Sequence, residues 1–187
     1  MRNATEILIK YRALIGIITL VVVLVLAQPS ARSIVIGFFF MMLGMFFRAW
    51  SSGYIDKDRE LATEGPYSLT RNPLYFGNLL IGIGIAIASN QPAAALVSAV
   101  YYLFFFTFLI VIERKRMKKR FGARYEEWAR KANIFFPKIK RVTQFNFNIA
   151  LYMKNREYRV LFYSLFVIAV LVVKYLKRIG FIGGISK

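Results

Sequence analysis

The chain has 187 residues, 58% of them apolar and 17% aromatic, with a mean hydropathy of +0.50. That is more apolar surface than one soluble core can bury, so an integral membrane protein is expected. Its 27 Lys and Arg against 9 Asp and Glu give a formal net charge of +18, and the long apolar runs assign that charge to anionic lipid headgroups rather than to nucleic acid. Neither cysteine nor histidine is present, which excludes disulfides, thiol nucleophiles, thiolate or imidazole metal ligands and a histidine general base. No metal site is expected.

The N-terminal segment carries Arg2, Lys10 and Arg12 ahead of a first apolar run at 13–27. No small-residue cleavage site follows it, so a removable signal is not expected. Further apolar runs fall at 34–47, 74–88, 93–112 and 160–173. The fold class is therefore all-α, a polytopic membrane protein of about five helices. Only the fourth run reaches the roughly 20 residues that cross a hydrocarbon core, so the others rely on flanking aromatics or snorkelling cations.

Lys and Arg cluster before the first run, between the second and third, and between 114 and 159. The positive-inside rule places these three regions in the cytoplasm. A fifth span at 160–173 would put Lys174, Lys177, Arg178 and Lys187 outside, against the rule, so this run is either a span or a re-entrant or interfacial segment. The chain is expected to form one domain, 1–187, with its motifs between 44 and 137 and an interfacial stretch plus a candidate fifth span over 138–187.

Between the second and third runs lies a polar, turn-rich loop, 64–78, that leads directly into apolar sequence. Gly65-Pro66 and Asn72-Pro73 are turn signals, and Tyr67, Arg71, Tyr75 and Asn78 offer donors and a cation at the membrane edge. The third and fourth runs are joined only by Ser89-Asn90-Gln91-Pro92. Such a connection makes a tight antiparallel hairpin, which brings Arg71 and Asn78 beside Glu113. Gly77, Gly82 and Gly84 offer small positions where the next helix or a ligand can approach the backbone.

Beyond Glu113 a charged helix is predicted to 131, interrupted at Phe121-Gly122 and closed near Phe135-Phe136-Pro137. Met117, Phe121, Tyr125 and Trp128 form its narrow apolar stripe. Arg48, with Trp50 and Gly53 after it, is either a snorkelling arginine beside an interfacial tryptophan or a ligand for a headgroup or carboxylate. Glu113, the single acid between Glu64 and Glu126, either neutralises its basic neighbours or meets a cationic or hydroxylated ligand. The basic run 114–120 reads first as a lipid-binding flank.

In order along the chain, Gly65-Pro66-Tyr67, Arg71-Asn72-Pro73-Leu74-Tyr75-Phe76-Gly77, Glu113-Arg114, Phe121-Gly122-Ala123-Arg124-Tyr125 and Pro137 resemble the isoprenylcysteine carboxyl methyltransferase and phospholipid methyltransferase families of small membrane enzymes. Gly44, Arg48 and Trp50 resemble the approach to the same loop. The chain departs from the family pattern twice, with Asn72 where a histidine is usual and Arg114 where a second glutamate is usual. The resemblance implies S-adenosylmethionine as methyl donor, bound on the cytoplasmic side by Gly65, Pro66, Tyr67, Arg71, Asn72, Pro73, Tyr75, Gly77, Asn78 and Glu113.

It implies catalytic roles for Arg48, Arg71 and Glu113, with Arg48 and Trp50 near a lipidic or isoprenoid acceptor. An acceptor carboxylate needs no general base, which suits a chain without histidine. The expected activity is carboxyl methylation of a lipidic acceptor. Phospholipid amine N-methylation, an NADPH-dependent reductase of the sterol-reductase type and a non-enzymatic basic membrane protein are the alternatives.

Overall fold

The computed structural model describes residues 4–56, 59–138 and 146–182. Arg2, Lys187 and the 139–145 part of the expected interfacial stretch lie outside the described residues. Seven helices follow in order among the described residues: α1 (Ala4–Leu26), α2 (Ala31–Ser52), α3 (Pro66–Leu69), α4 (Pro73–Ser89), α5 (Pro92–Lys131), α6 (Ile149–Lys154) and α7 (Tyr158–Arg178). Among the described residues there is no strand, only one bridge between Thr70 and Asn133.

Four of the five apolar runs lie within a helix and the first overruns α1 by Ala27 alone; α2, α5 and α7 are long and apolar enough to cross a membrane. The 17 residues of α4 form a shorter apolar helix. The helices exceed the apolar runs because polar ends stay helical, as at Arg48 in α2 and Lys174 in α7. Val25, Val35, Leu103 and Phe166 point outward and are each about two-thirds exposed or more. A surface this apolar belongs in lipid.

The tightest seam joins α2 to the antiparallel α4. Gly44 meets Gly77, and two helical turns away Gly37 meets Gly84; a Cβ at Gly44 would lie 2.5 Å from the Gly77 carbonyl oxygen, and one at Gly84 2.5 Å from that of Gly37. With little hydrophobic force between helices in lipid, such backbone approach is what small residues contribute. Gly77 and Gly84 thus face α2 rather than the hairpin partner expected from sequence. Gly82 alone of the three turns to α5, where the Tyr102 ring fills the space its side chain would take. Met41, Met45, Ile81 and Ala88 from this seam join Ala27 of the α1–α2 connection and Val167 and Leu171 of α7 in the core.

The hairpin closes as expected: α4 ends at Asn90 in the left-handed conformation (φ 50°, ψ 35°) and Pro92 opens α5. At this far end of the bundle the Gln28 amide donates to the Ser89 carbonyl (2.7 Å). The basic end of α7 lands here too. Lys174 Nζ donates to the Leu24 and Val25 carbonyls at 2.6 and 2.9 Å, and Arg178 Nη1 to that of Gln28 at 2.9 Å. Two of the four charges that defy the positive-inside rule, Lys174 and Arg178, therefore bind carbonyls at and just beyond the C-terminus of α1, where cations are favoured. With its start at the opposite end, beside Arg48, the 21-residue α7 is about 30 Å long.

Overpacking the glycine seam gives a direct check. Gly77→Val should lower unfolding stability in detergent by at least about 2 kcal/mol, whereas Val35→Ala on the lipid face should stay within about 0.5 kcal/mol, both measured by denaturant titration of the purified protein.

Candidate functional site

The polar loop is held by the chain beyond α5. Gly65 adopts φ 53° and ψ −128°, backbone that only glycine takes without strain, and any Cβ there would strike the Tyr54 ring. Pro66 opens the single turn of α3. After it the Arg71 amide donates to the Asn133 carbonyl (2.8 Å), the Lys138 amide to that of Leu69 (3.0 Å) and the Thr70 hydroxyl to that of Phe135 (2.8 Å). Asn72 Nδ2 donates to the Ile134 carbonyl at 2.7 Å, so its amide group serves the clamp.

The break at Gly122 (φ 51°, ψ −127°) redirects α5 at the expected place. It splits the predicted stripe, sending Tyr125 into the interior. Trp128 follows it, donating from Nε1 to the Tyr67 carbonyl at 3.1 Å.

Two polar groups are buried in this loop without a hydrogen-bond partner: the Tyr67 hydroxyl and Arg71 Nε. Native proteins seldom leave such groups orphaned, and the exceptions mark ligand sites or strain. Burial pushes the Tyr67 hydroxyl far above its ordinary pKa, with further upward pressure from Glu157 opposed by Arg48 and a smaller upward push from Glu113. It is a neutral hydrogen-bond donor at any physiological pH.

Arg48 does not present a free fork. From near the C-terminal end of α2 it runs past Gly77, whose missing side chain would fall 2.6 Å from Arg48 Cγ. Its Nη2 then donates to both carboxylate oxygens of Glu157 at 2.8 and 2.7 Å, its Nε to Oε2 at 3.1 Å, and its Nη1 to Asn78 Oδ1 at 2.7 Å. The two charged side chains are 14% and 7% exposed. Glu157 is aimed by a turn in which Arg156 takes φ 55° and Asn155 Nδ2 caps the end of α2 by donating to the Ser52 and Ile55 carbonyls.

The hairpin brings Glu113, half-buried, within electrostatic reach of Tyr67 and Tyr75. Next to it is an aromatic wall. The Tyr75 ring meets Phe106 at 5.6 Å, Phe76 meets Phe135 at 6.0 Å, and Phe47 meets Phe76 at 5.0 Å. Behind the wall, between α4 and α5, runs an apolar cleft of about 690 Å³ whose walls include Gly82, Ala86, Ala99, Phe106 and Phe135, with Arg114 at its mouth. Its size is that of small-molecule sites generally, about 300–1,000 Å³.

One end of the bundle therefore gathers Arg48, Tyr67, Arg71, Asn72, Tyr75, Asn78 and Glu113. Gly65, Pro66, Pro73 and Gly77 shape its backbone, and Trp50 packs on Phe46 and Phe47. Sequence reasoning missed Glu157 and the cleft. A signal for Glu157 existed, since it is the single acid after Glu127 in a strongly basic stretch.

Removing either partner of the Arg48–Glu157 pair strands a buried charge. Arg48→Ala and Glu157→Ala should each cost about 3–5 kcal/mol, and in a double-mutant cycle the double variant should lose far less than the sum. Additive losses would show that the pair is not coupled.

Among proteins of known name, the chain is 34% identical over 94 residues to the cobalt-zinc-cadmium resistance protein CzcN of Cupriavidus metallidurans, covering 49% of this chain and 43% of that one. It is 28% identical over 112 residues to the nickel-cobalt-cadmium resistance protein NccN of Alcaligenes xylosoxydans xylosoxydans, covering 59% and 52%. It is 33% identical over 76 residues to protein-S-isoprenylcysteine O-methyltransferase B of Arabidopsis thaliana, covering 41% and 39%. The chain thus spans about half the length of the relatives it matches, or less. No solved structure matches it. The family model for phospholipid methyltransferases matches residues 11–124, the stretch that carries α2, the clamped loop, the hairpin and Glu113, and the chain belongs to that family.

Proposed function

We propose that this protein transfers a methyl group from S-adenosylmethionine to a lipidic acceptor, a carboxylate, at the cytoplasmic end of a five-crossing bundle. The observation that carries the reading is the pair of orphaned buried groups, the Tyr67 hydroxyl and Arg71 Nε, beside Glu113 and next to an apolar cleft that ends at the same place. The residues fit the donor. Its amino-acid end is a zwitterion, and Arg71 and Tyr67 offer donors for a carboxylate while Glu113 offers an acceptor for an ammonium. The Tyr75, Phe76 and Phe135 rings offer faces for adenine and for a cationic centre.

When bound, S-adenosylmethionine supplies an electrophilic methyl group, and the rate then depends mainly on alignment. The chain's own residues supply that alignment. Arg48, engaged by Glu157 and Asn78, is a positioning residue that fixes α2, α4 and α7 around the loop. The clamp from Trp128 to Lys138 holds Tyr67 and Arg71. An acceptor carboxylate has no proton to lose. An amine acceptor must shed one first, and no histidine is available to take it. The expected cytoplasmic sidedness rests on the basic clusters at this end.

Isothermal titration of the purified protein in detergent tests donor binding. S-adenosylmethionine should bind, and Arg71→Ala, Tyr67→Phe and Glu113→Gln should each weaken it tenfold or more, about 1.4 kcal/mol. NADPH binding without S-adenosylmethionine binding would overturn the proposal in favour of a reductase. Membranes given methyl-labelled donor should yield a labelled lipid that releases volatile methanol in mild base, as an ester does. A base-stable product would identify an amine acceptor instead.

A further inference from the structure

The walls of the cleft on α5 follow one continuous stripe, Ala95, Ala99, Tyr102, Phe106, Ile110 and Arg114, at helical spacings of three and four. From Ala95 to Arg114 this is about 29 Å of helix, close to the roughly 30 Å of a hydrocarbon core. With a volume of about 690 Å³ and an apolar lining along that length, the cleft has room for an extended hydrocarbon chain. Small residues line it, Ala86 on α4 and Ala95, Ser98 and Ala99 on α5, while the Tyr102 ring occupies the space beside Gly82.

The charged residue of this channel is at its end. Arg114 is exposed, and among the described residues its guanidinium has no hydrogen-bond or ion-pair partner, unlike Arg48 with its full set. It adjoins Glu113, and consecutive residues of an α-helix project about 100° apart. Glu113 acts on Tyr67 and Tyr75, whereas Arg114 lines the cleft beside Phe135 and Phe136. Two neighbouring residues thus serve opposite sides of the aromatic wall. An unpaired guanidinium attracts an anionic head and repels an ammonium.

From this geometry we infer that Arg114 is the specificity-determining residue for the acceptor: the α4–α5 cleft takes a long apolar chain, and Arg114 selects those whose head is anionic. This rests on the methyl-transfer reading for its role in a reaction, but selection by charge is a property of the empty enzyme and is measured without methyl donor.

The full-length protein in nanodiscs of neutral phosphatidylcholine, at pH 8, is titrated with radiolabelled geranylgeranoic acid, geranylgeraniol and geranylgeranylamine. These share one chain and differ in head charge. The native protein should bind the acid at least tenfold more tightly than the alcohol or the amine. Arg114→Glu should lose that preference and favour the amine, an inversion that a merely structural arginine would not produce. Ala99→Trp, which fills the cleft, should exclude all three. Equal binding of acid and alcohol by the native protein, or an acid preference unchanged in Arg114→Glu, overturns the inference. Titration of Arg114→Glu with S-adenosylmethionine should match the native protein; if neither binds the donor, the methyl-transfer reading fails while the charge preference is still decided by the three lipids.

Discussion

The buried pair of Arg48 and Glu157 is the constraint on which the site end of the bundle depends. Bringing two charges into a membrane protein is costly unless they meet at close range with their remaining hydrogen bonds filled. Here the guanidinium spends Nε and Nη2 on the carboxylate and Nη1 on Asn78, so three helices meet at one cation. The pair forms only because Gly77 leaves Arg48 a path across α4. The glycine seam and the ion pair are one device, since the close approach of α2 and α4 makes the reach from Arg48 to Glu157 short enough for a bidentate contact.

That device leaves Tyr67 and Arg71 to do something else. Were Arg48 free, it would be the natural ligand for an acidic headgroup at the membrane edge, as the sequence suggests. Neutralised, it becomes a strut, and the unsatisfied polarity moves to the Tyr67 hydroxyl and Arg71 Nε on one side and to Arg114 on the other. The aromatic wall of Tyr75, Phe106, Phe76 and Phe135 stands between a polar pocket and an apolar cleft. A reaction between a water-soluble donor and a lipid chain needs such a junction, in which each partner arrives from its own phase and meets the other with water excluded.

Much of this was legible in the sequence because it is local. The Ser89-to-Pro92 connection dictates a hairpin, and the hairpin sets Glu113 beside the loop. Gly65-Pro66 and Phe121-Gly122 announce turns that the backbone angles bear out. What escaped were pairings between distant segments. Nothing near Arg48 reveals that its partner lies 109 residues on, although a lone acid among so many cations is a hint. The clamp on the loop is made mainly by backbone carbonyls at Asn133, Ile134 and Phe135, and backbone groups leave no compositional trace. The cleft is an absence of side chains on two helices at once, visible only after their faces are paired. The charge reversal at Arg114, a departure from the family pattern in sequence, lies in the structure on the wall of the cleft.

The central claim is that the donor site is assembled from the 65–78 loop, the α5 segment around Glu113 and the strand-like clamp at 132–138. Hydrogen–deuterium exchange of the purified protein, with and without saturating S-adenosylmethionine, tests it most directly. Donor-dependent protection should appear at those three segments together, while the far end of the bundle, around Gln28 and Arg178, exchanges at an unchanged rate. Protection confined to the far end, or none at any of the three segments, would contradict the claim.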